Sequence, residues 1–128
     1  QCGFTTQYAG LQSLWKEFKN QGLIVIGVPS NDFGNQEPES ETTIQNFCTL
    51  NFNVNFPMTV KTNVRGYGAH PFYKWAANQL GVLAKPRWNF HKYLVGPDGS
   101  LVDWFAPSTS PNSKKIKTAI IKALASSK

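Results

Sequence analysis

The chain has 128 residues, of which 41% are hydrophobic and 13% aromatic, so it is long enough for one folded domain and too apolar for a disordered protein. We therefore expect residues 1–128 to form a single domain. No apolar run approaches the roughly 20 residues that a membrane helix needs. The formal net charge of +6 is unevenly placed: residues 1–60 hold two lysines and five acidic residues, whereas residues 61–128 hold 11 basic residues and two aspartates. The basic half is either a solubilising surface or a region that attracts anions such as nucleic acid, an acidic protein or a small anionic thiol.

The first half of the chain predicts a helix, a buried strand and a second helix. Apolar residues recur at helical spacing over residues 6–20, and Gly22 is placed to end this helix. Residues 23–28 are continuously apolar and β-branched, which indicates a strand buried on both faces of a sheet. A polar loop follows, and residues 41–50 carry apolar side chains on one face of a second predicted helix.

The second half predicts a short strand, a helix, a hairpin and a last helix. Residues 56–60 fit the short strand, and Pro71 suits the first turn of the helix. Residues 90–95 and 101–106 are predicted strands joined by a tight turn, Gly96-Pro97-Asp98-Gly99. The order indicates an α/β fold with a mixed central sheet flanked by helices. Because a strand normally feeds the first helix of such a layer, we expect one or more strands upstream of Gln1 that the chain as given does not contain.

Cys2 lies a few residues ahead of the first predicted helix, where backbone N–H groups and the helix dipole favour a thiolate over a thiol. A small buried cysteine that only fills space is the alternative, and position alone leaves both open. Cys48 lies far along the chain, so the two thiols are buried and inert, joined in one disulfide, or a reactive pair. Together with His70 and His91, they lack the close spacing of a zinc site.

Two further segments carry hydrogen-bond donors that do not titrate. Residues 28–38 follow the predicted buried strand, where open α/β sheets place their functional sites. This segment contains three amide side chains: Asn31, Asn35 and Gln36. A turn rich in Asn, Gly and Pro for backbone reasons is the alternative. Trp88 and Asn89 precede another predicted strand and offer an indole and an amide N–H, although a tryptophan there also suits an interface position with its N–H on a backbone carbonyl.

Together these segments resemble three signatures of the glutathione peroxidase family, including its thioredoxin-dependent members. The first is Cys2-Gly3-Phe4-Thr5 with Gln7-Tyr8, the second is residues 31–38, and the third is residues 88–94. Additional matches are Phe56-Pro57-Met58, Ala69-His70-Pro71 and the Gly96-Pro97-Asp98-Gly99 turn. Three separate signatures in the family's order, over almost the whole chain, make the resemblance specific. The sequence departs from the pattern at Asp32, where glutamine is usual.

The resemblance implies a thioredoxin-like fold and a thiol peroxidase that uses no cofactor or metal. The implied catalytic set is Cys2, Gln36, Trp88 and Asn89, with Cys48 as the resolving thiol. In the implied cycle, the Cys2 thiolate reduces hydrogen peroxide or an organic or lipid hydroperoxide and becomes a sulfenic acid. Cys48 then forms a disulfide with Cys2, and thioredoxin or glutathione reduces it. Many cysteine members carry a further cysteine where this chain has Ser30, which therefore takes no part.

The resemblance also bears on partners and on alternatives. The short segment 78–87 resembles monomeric members, whose open site admits bulky lipid hydroperoxides. Nucleic-acid binding and stable membrane insertion are not expected. No histidine is required, which argues against a Cys-His protease, and we expect His70 and His91 to be structural. Cys48 lies on an apolar helix face, so a buried core cysteine is its alternative role.

Two other functions are compatible with the sequence. One is a peroxide sensor that passes its disulfide to a client protein, and the other is a basic binding module with an inert thioredoxin-like fold. A thiol–disulfide oxidoreductase fits less well, because Thr5 rather than a cysteine lies three residues after Cys2. The compartment stays open between the cytoplasm and the bacterial periplasm.

Overall fold

The first helix of the computed structural model, α1, spans Gln7–Phe18 and continues into a 3-10 turn at Lys19–Gln21. Gly22 then reverses the chain with φ +114°, and its N–H donates to the Lys19 carbonyl. Glycine adopts this backbone angle far more readily than other residues do. The helix predicted over residues 6–20 and its end at Gly22 are confirmed within the residues that the structure describes, which are 7–30, 32 and 55–126. The second predicted helix, residues 41–50, lies outside them.

Residues 23–28 are extended and meet the segment around Met58 in one parallel bridge. The Gly27 N–H donates to the Pro57 carbonyl at 2.9 Å, and the Thr59 N–H donates to the Gly27 carbonyl at 2.8 Å. The two predicted strands, 23–28 and 56–60, are therefore neighbours. They share a single bridge rather than the continuous ladder of hydrogen bonds that two paired strands form.

The expectation that residues 23–28 are buried on both faces was wrong. Leu23 and Val25 pack against the core next to α1. Ile24 and Ile26, in contrast, are 70% and 59% exposed. Successive side chains of an extended chain point to opposite sides, and among the described residues only the α1 side is covered. The sequence could not predict this exposure, because a continuous apolar run is compatible with a strand buried on one face or on both.

The second helix, α2, spans Pro71–Leu80, as predicted from its proline. His70 caps it, since its Nδ1 accepts from the Phe72 N–H at 3.1 Å. This cap confirms the structural role expected for His70. No helix within residues 7–30 and 55–126 is both long and apolar enough to cross a membrane.

Strands β1 (Lys92–Val95) and β2 (Leu101–Phe105) form the predicted antiparallel hairpin. Its turn is closed by the Gly96 N–H, which donates to the Ser100 carbonyl at 2.8 Å. The hairpin begins at Lys92 rather than at Phe90 because Phe90 has φ +68°, a left-handed angle that a strand cannot contain.

The last helix, α3, spans Lys114–Ala125, and the Ser113 hydroxyl caps it by accepting from the Ile116 N–H. Together α1, β2 and α3 enclose the larger of the two apolar clusters that the described residues form: Leu14, Phe18, Phe105, Ile116 and Ile120. The smaller cluster centres on Tyr8 and Phe56. Packing of both helices against one face of the hairpin fixes the N-terminal end of α1 relative to the start of β1.

Candidate active site

The structure describes two of the five predicted site residues, Trp88 and Asn89. They lie in the turn that leads into β1, and the Trp88 side chain is 38% exposed while Asn89 is partly buried. Cys2, Gln36 and Cys48 lie outside the described residues. The geometry of the site is therefore built from the described ends of the three signatures.

Phe90 anchors the turn that carries Trp88 and Asn89. Its ring packs edge to face on Tyr8, with ring centroids 4.9 Å apart and an interplanar angle of 76°. Tyr8 belongs to the first turn of α1 and is buried against Phe56. The aromatic contact adds to burial energy and offsets the left-handed backbone of Phe90, which costs about 1–2 kcal/mol for a residue with a side chain. The first and third signatures thus meet at this contact.

A partly buried lysine closes the same turn from the other side. The Lys92 ammonium donates to the Phe90 carbonyl at 2.7 Å and to the Pro107 carbonyl at 3.3 Å. Gln7, the first residue of α1, donates its side-chain amide to the same Pro107 carbonyl at 2.6 Å. Burial lowers the pKa of Lys92 to about 8. Sequence analysis placed Lys92 within the third signature but assigned it no role. A lysine at the first position of a strand is usually exposed, so only the tertiary structure reveals this contact.

Asp32 connects the second signature to the segment that precedes α2. Its carboxylate accepts from the Val64 N–H at 2.7 Å and from the Arg65 N–H at 3.3 Å. The Asp32 N–H donates to the hydroxyl of Ser30, which is buried. Glutamine, usual at this position in the family, offers a neutral acceptor, whereas the aspartate makes charge-assisted bonds. Ser30 has a structural role here, in keeping with its exclusion from the chemistry.

A cleft of about 1070 Å³ is lined by residues of the first and third signatures and by the residue that precedes the second. Its lining includes Tyr8 from the first signature, Ser30 immediately before the second, and Trp88 and Asn89 from the third. Most of the remaining lining is apolar and includes residues 22–28 and side chains of the helices and the hairpin. The described ends of segments that are distant in sequence therefore converge on one cavity.

A second, basic cleft of about 560 Å³ lies beside the same turn. Four cationic residues line it: Arg65, Lys74, Lys85 and Arg87. No acidic residue is among the described residues that form its walls. Its last member, Arg87, directly precedes Trp88 in the chain, so the cleft is contiguous with the candidate site. Part of the positive charge of residues 61–128 therefore lies next to the site.

His91 belongs to an aromatic stack behind the turn. Its ring lies parallel to Trp104, with centroids 5.3 Å apart, and 5.0 Å from the Tyr93 ring. Neither ring nitrogen has a hydrogen-bond partner among the described residues. Burial, together with the nearby Arg87 cation, lowers the pKa of His91 from 6.5 to about 4. The ring is therefore neutral at pH 7 and packs as part of the structure, as expected from the sequence. Among residues 7–30, 32 and 55–126, no three His, Cys, Asp or Glu side chains are grouped to hold a metal.

Helices packed on a hairpin, with the Trp88–Asn89 turn lining a cleft, are the architecture of a thioredoxin-like protein. The family model described as Glutathione peroxidase matches residues 1–77. The glutathione peroxidase homolog BsaA of Halalkalibacterium halodurans is 46% identical over 112 residues, which are 86% of this chain and 71% of that protein. The glutathione peroxidase-like peroxiredoxin gpx1 of Schizosaccharomyces pombe is 42% identical over 113 residues, with the same two coverages.

Solved structures agree with these relatives. The crystal structure of Trgpx in apo form superposes with a TM-score of 0.74 at 35% identity, covering 98% of this chain and 74% of that one. The chain belongs to the glutathione peroxidase family and is a peroxidase. Its thioredoxin-like fold and its family resemblance, both predicted from the sequence, are confirmed.

Proposed function

We propose that this single-domain, monomeric peroxidase works through a thiolate at Cys2, with Gln36, Trp88 and Asn89 as uncharged donors around it. The observation that carries the proposal is the convergence of Tyr8, Ser30 and the Trp88–Asn89 turn on one cleft. Cys2 lies six residues before Tyr8, and Gln36 lies six residues after Ser30. Both are thus close in the chain to residues that line the cavity.

The chemistry of the first step suits this donor set. The Cys2 thiolate attacks one oxygen of the peroxide, the O–O bond breaks, and the sulfur is oxidised to a sulfenic acid. The second oxygen leaves as hydroxide or alkoxide and takes a proton from solvent to become water or an alcohol. Neutral N–H donors stabilise the thiolate and the leaving oxygen without forming a permanent ion pair. The apolar lining of the larger cleft supports organic and lipid hydroperoxides as substrates in addition to hydrogen peroxide.

The remaining steps regenerate the thiolate. The Cys48 thiol attacks the sulfenic sulfur, forming the Cys2–Cys48 disulfide and releasing water. A dithiol protein of the thioredoxin type then reduces this disulfide by thiol–disulfide exchange and becomes oxidised itself. The basic cleft beside Trp88 supports a reductant that carries negative charge. The presence of Cys48 favours an acidic thioredoxin over glutathione.

Peptide mass analysis after peroxide treatment without reductant tests the two thiol roles. We expect a Cys2–Cys48 crosslink. Cys2→Ser should abolish peroxide consumption, whereas Cys48→Ser should keep the oxidation of Cys2 and lose turnover coupled to thioredoxin. A Cys48→Ser variant that turns over normally with thioredoxin contradicts the resolving role.

Charge reversal tests the reductant site. We expect Lys74→Glu and Lys85→Glu to raise the KM for thioredoxin and to leave the rate of Cys2 oxidation unchanged. Lys122→Glu is the matched control, because Lys122 is exposed on α3 and lines neither cleft. If all three variants show the wild-type KM for thioredoxin, the basic cleft does not receive the reductant.

A further inference from the structure

Lys92 is a partly buried cation that has no anionic partner among the residues the structure describes. Among the described residues no carboxylate pairs with it, and its two hydrogen bonds go to the carbonyls of Phe90 and Pro107. Removing an ammonium from water is costly when only neutral groups compensate it. An apolar side chain of the same length would fill this space without that cost, so global stability alone does not account for a lysine here.

The two carbonyls that Lys92 joins lie at the open end of the hairpin. Lys92 begins β1 and pairs with Phe105 at the end of β2, so the Phe90 carbonyl lies just before one strand and the Pro107 carbonyl just after the other. The ammonium spans this gap. The amide of Gln7 occupies the second acceptor position of the Pro107 carbonyl. One carbonyl therefore connects the donor turn to the first residue of α1.

We propose that Lys92 is a positioning residue of the peroxidase site: it fastens the turn bearing Trp88 and Asn89 to the carbonyl on which α1 is also anchored. The inference rests on the proposed function, in which that turn supplies donors to a thiolate on the segment before α1. Three restraints act on Phe90 at once: its left-handed backbone, its ring on Tyr8 and its carbonyl on Lys92. The left-handed angle and the Tyr8 contact restrain the backbone and the ring of Phe90. The bond to Lys92 connects the Phe90 carbonyl, through the ammonium, to the Pro107 carbonyl that also binds Gln7.

Substitution by methionine and by arginine separates this role from a stabilising one. Lys92→Met keeps the length of the side chain and removes its donors and charge. We expect it to lower the second-order rate constant for Cys2 oxidation by about 10- to 100-fold, the range that a displacement near 1 Å produces. The thermal midpoint should change little, because the lost hydrogen bonds are offset by removal of a buried charge. Lys92→Arg retains donors and charge, and should recover most of the lost rate.

The measurement is stopped-flow oxidation of the reduced protein by hydrogen peroxide, with reduction of the preformed disulfide by dithiothreitol as an internal reference. The reference rate should fall less than the oxidation rate in Lys92→Met, because in disulfide reduction the donor turn stabilises only the leaving Cys2 thiolate, whereas in peroxide reduction it stabilises the thiolate and the leaving oxygen. Lys122→Met serves as the matched surface control, and circular dichroism establishes that each variant is folded. A Lys92→Met protein that oxidises at the wild-type rate overturns the inference, as does an arginine variant as slow as the methionine one. If the wild-type protein does not react with peroxide at all, the proposed function fails, and the inference fails with it.

Discussion

Acidification should destabilise this protein through His91. The ring is stacked on Trp104 with both nitrogens buried and without hydrogen-bond partners among the described residues. Its pKa is lowered from 6.5 to about 4, mainly by burial. In the unfolded chain the same imidazole takes up a proton near pH 6.5, whereas the folded protein resists protonation until about pH 4. The free energy of unfolding therefore falls as the pH decreases through this window, and the loss is complete below the folded pKa.

The size of the effect follows from the shift. At 1.36 kcal/mol for each pH unit, the shift corresponds to roughly 3 kcal/mol. Because water reaches part of the ring, we expect about 1–2 kcal/mol after screening. The assay is urea unfolding at pH 7 and pH 4.5 under reducing conditions, comparing the wild type with His91→Phe. Phenylalanine keeps the stacking and cannot be protonated. The difference between the wild type and the variant therefore isolates the contribution of His91 from that of the other titrating groups.

We expect the wild type to lose about 1–2 kcal/mol more than His91→Phe between the two pH values. Equal losses in the two proteins would falsify the assignment of acid sensitivity to His91. The same titration followed by NMR should place the imidazole pKa well below 6.5.

Substitutions at three other positions test contacts that hold the fold around the site. Gly22→Ala forces a side chain onto a backbone at φ +114° and should lower the free energy of unfolding by about 1–2 kcal/mol, measured by urea titration. Asp32→Ala leaves two backbone N–H groups of residues 64–65 without their acceptor and should lower the free energy of unfolding by about 1–2 kcal/mol. Asp32→Asn keeps an acceptor oxygen and should recover more than half of this loss. Equal losses in the two variants would mean that the side-chain oxygen does not stabilise the fold. Tyr93→Phe removes the hydroxyl that donates to the Ala84 carbonyl and should lower stability by about 1 kcal/mol, so an unchanged thermal midpoint would contradict a structural role for that bond.

Local sequence signals predicted the elements whose stability is mainly local. Helices α1 and α2 follow from apolar spacing, a glycine stop and a proline start, and the hairpin follows from a glycine-rich turn between two apolar runs. The family resemblance rested on three short signatures, and it named Trp88 and Asn89 as site residues. The predicted elements and the family resemblance are confirmed because each depends on residues that are neighbours in the chain, whereas the roles of Trp88 and Asn89 stay predictions.

The one-sided burial of residues 23–28 and the roles of Lys92 and Asp32 depend instead on distant partners. Lys92 acts on a carbonyl 15 residues away, and Asp32 on N–H groups 32 and 33 residues away. The sequence by itself determined the helices and the hairpin turn of the described residues, and it identified the family. Only the tertiary structure decided which polar groups lose water and must bond to one another, because burial is set by how the segments pack together.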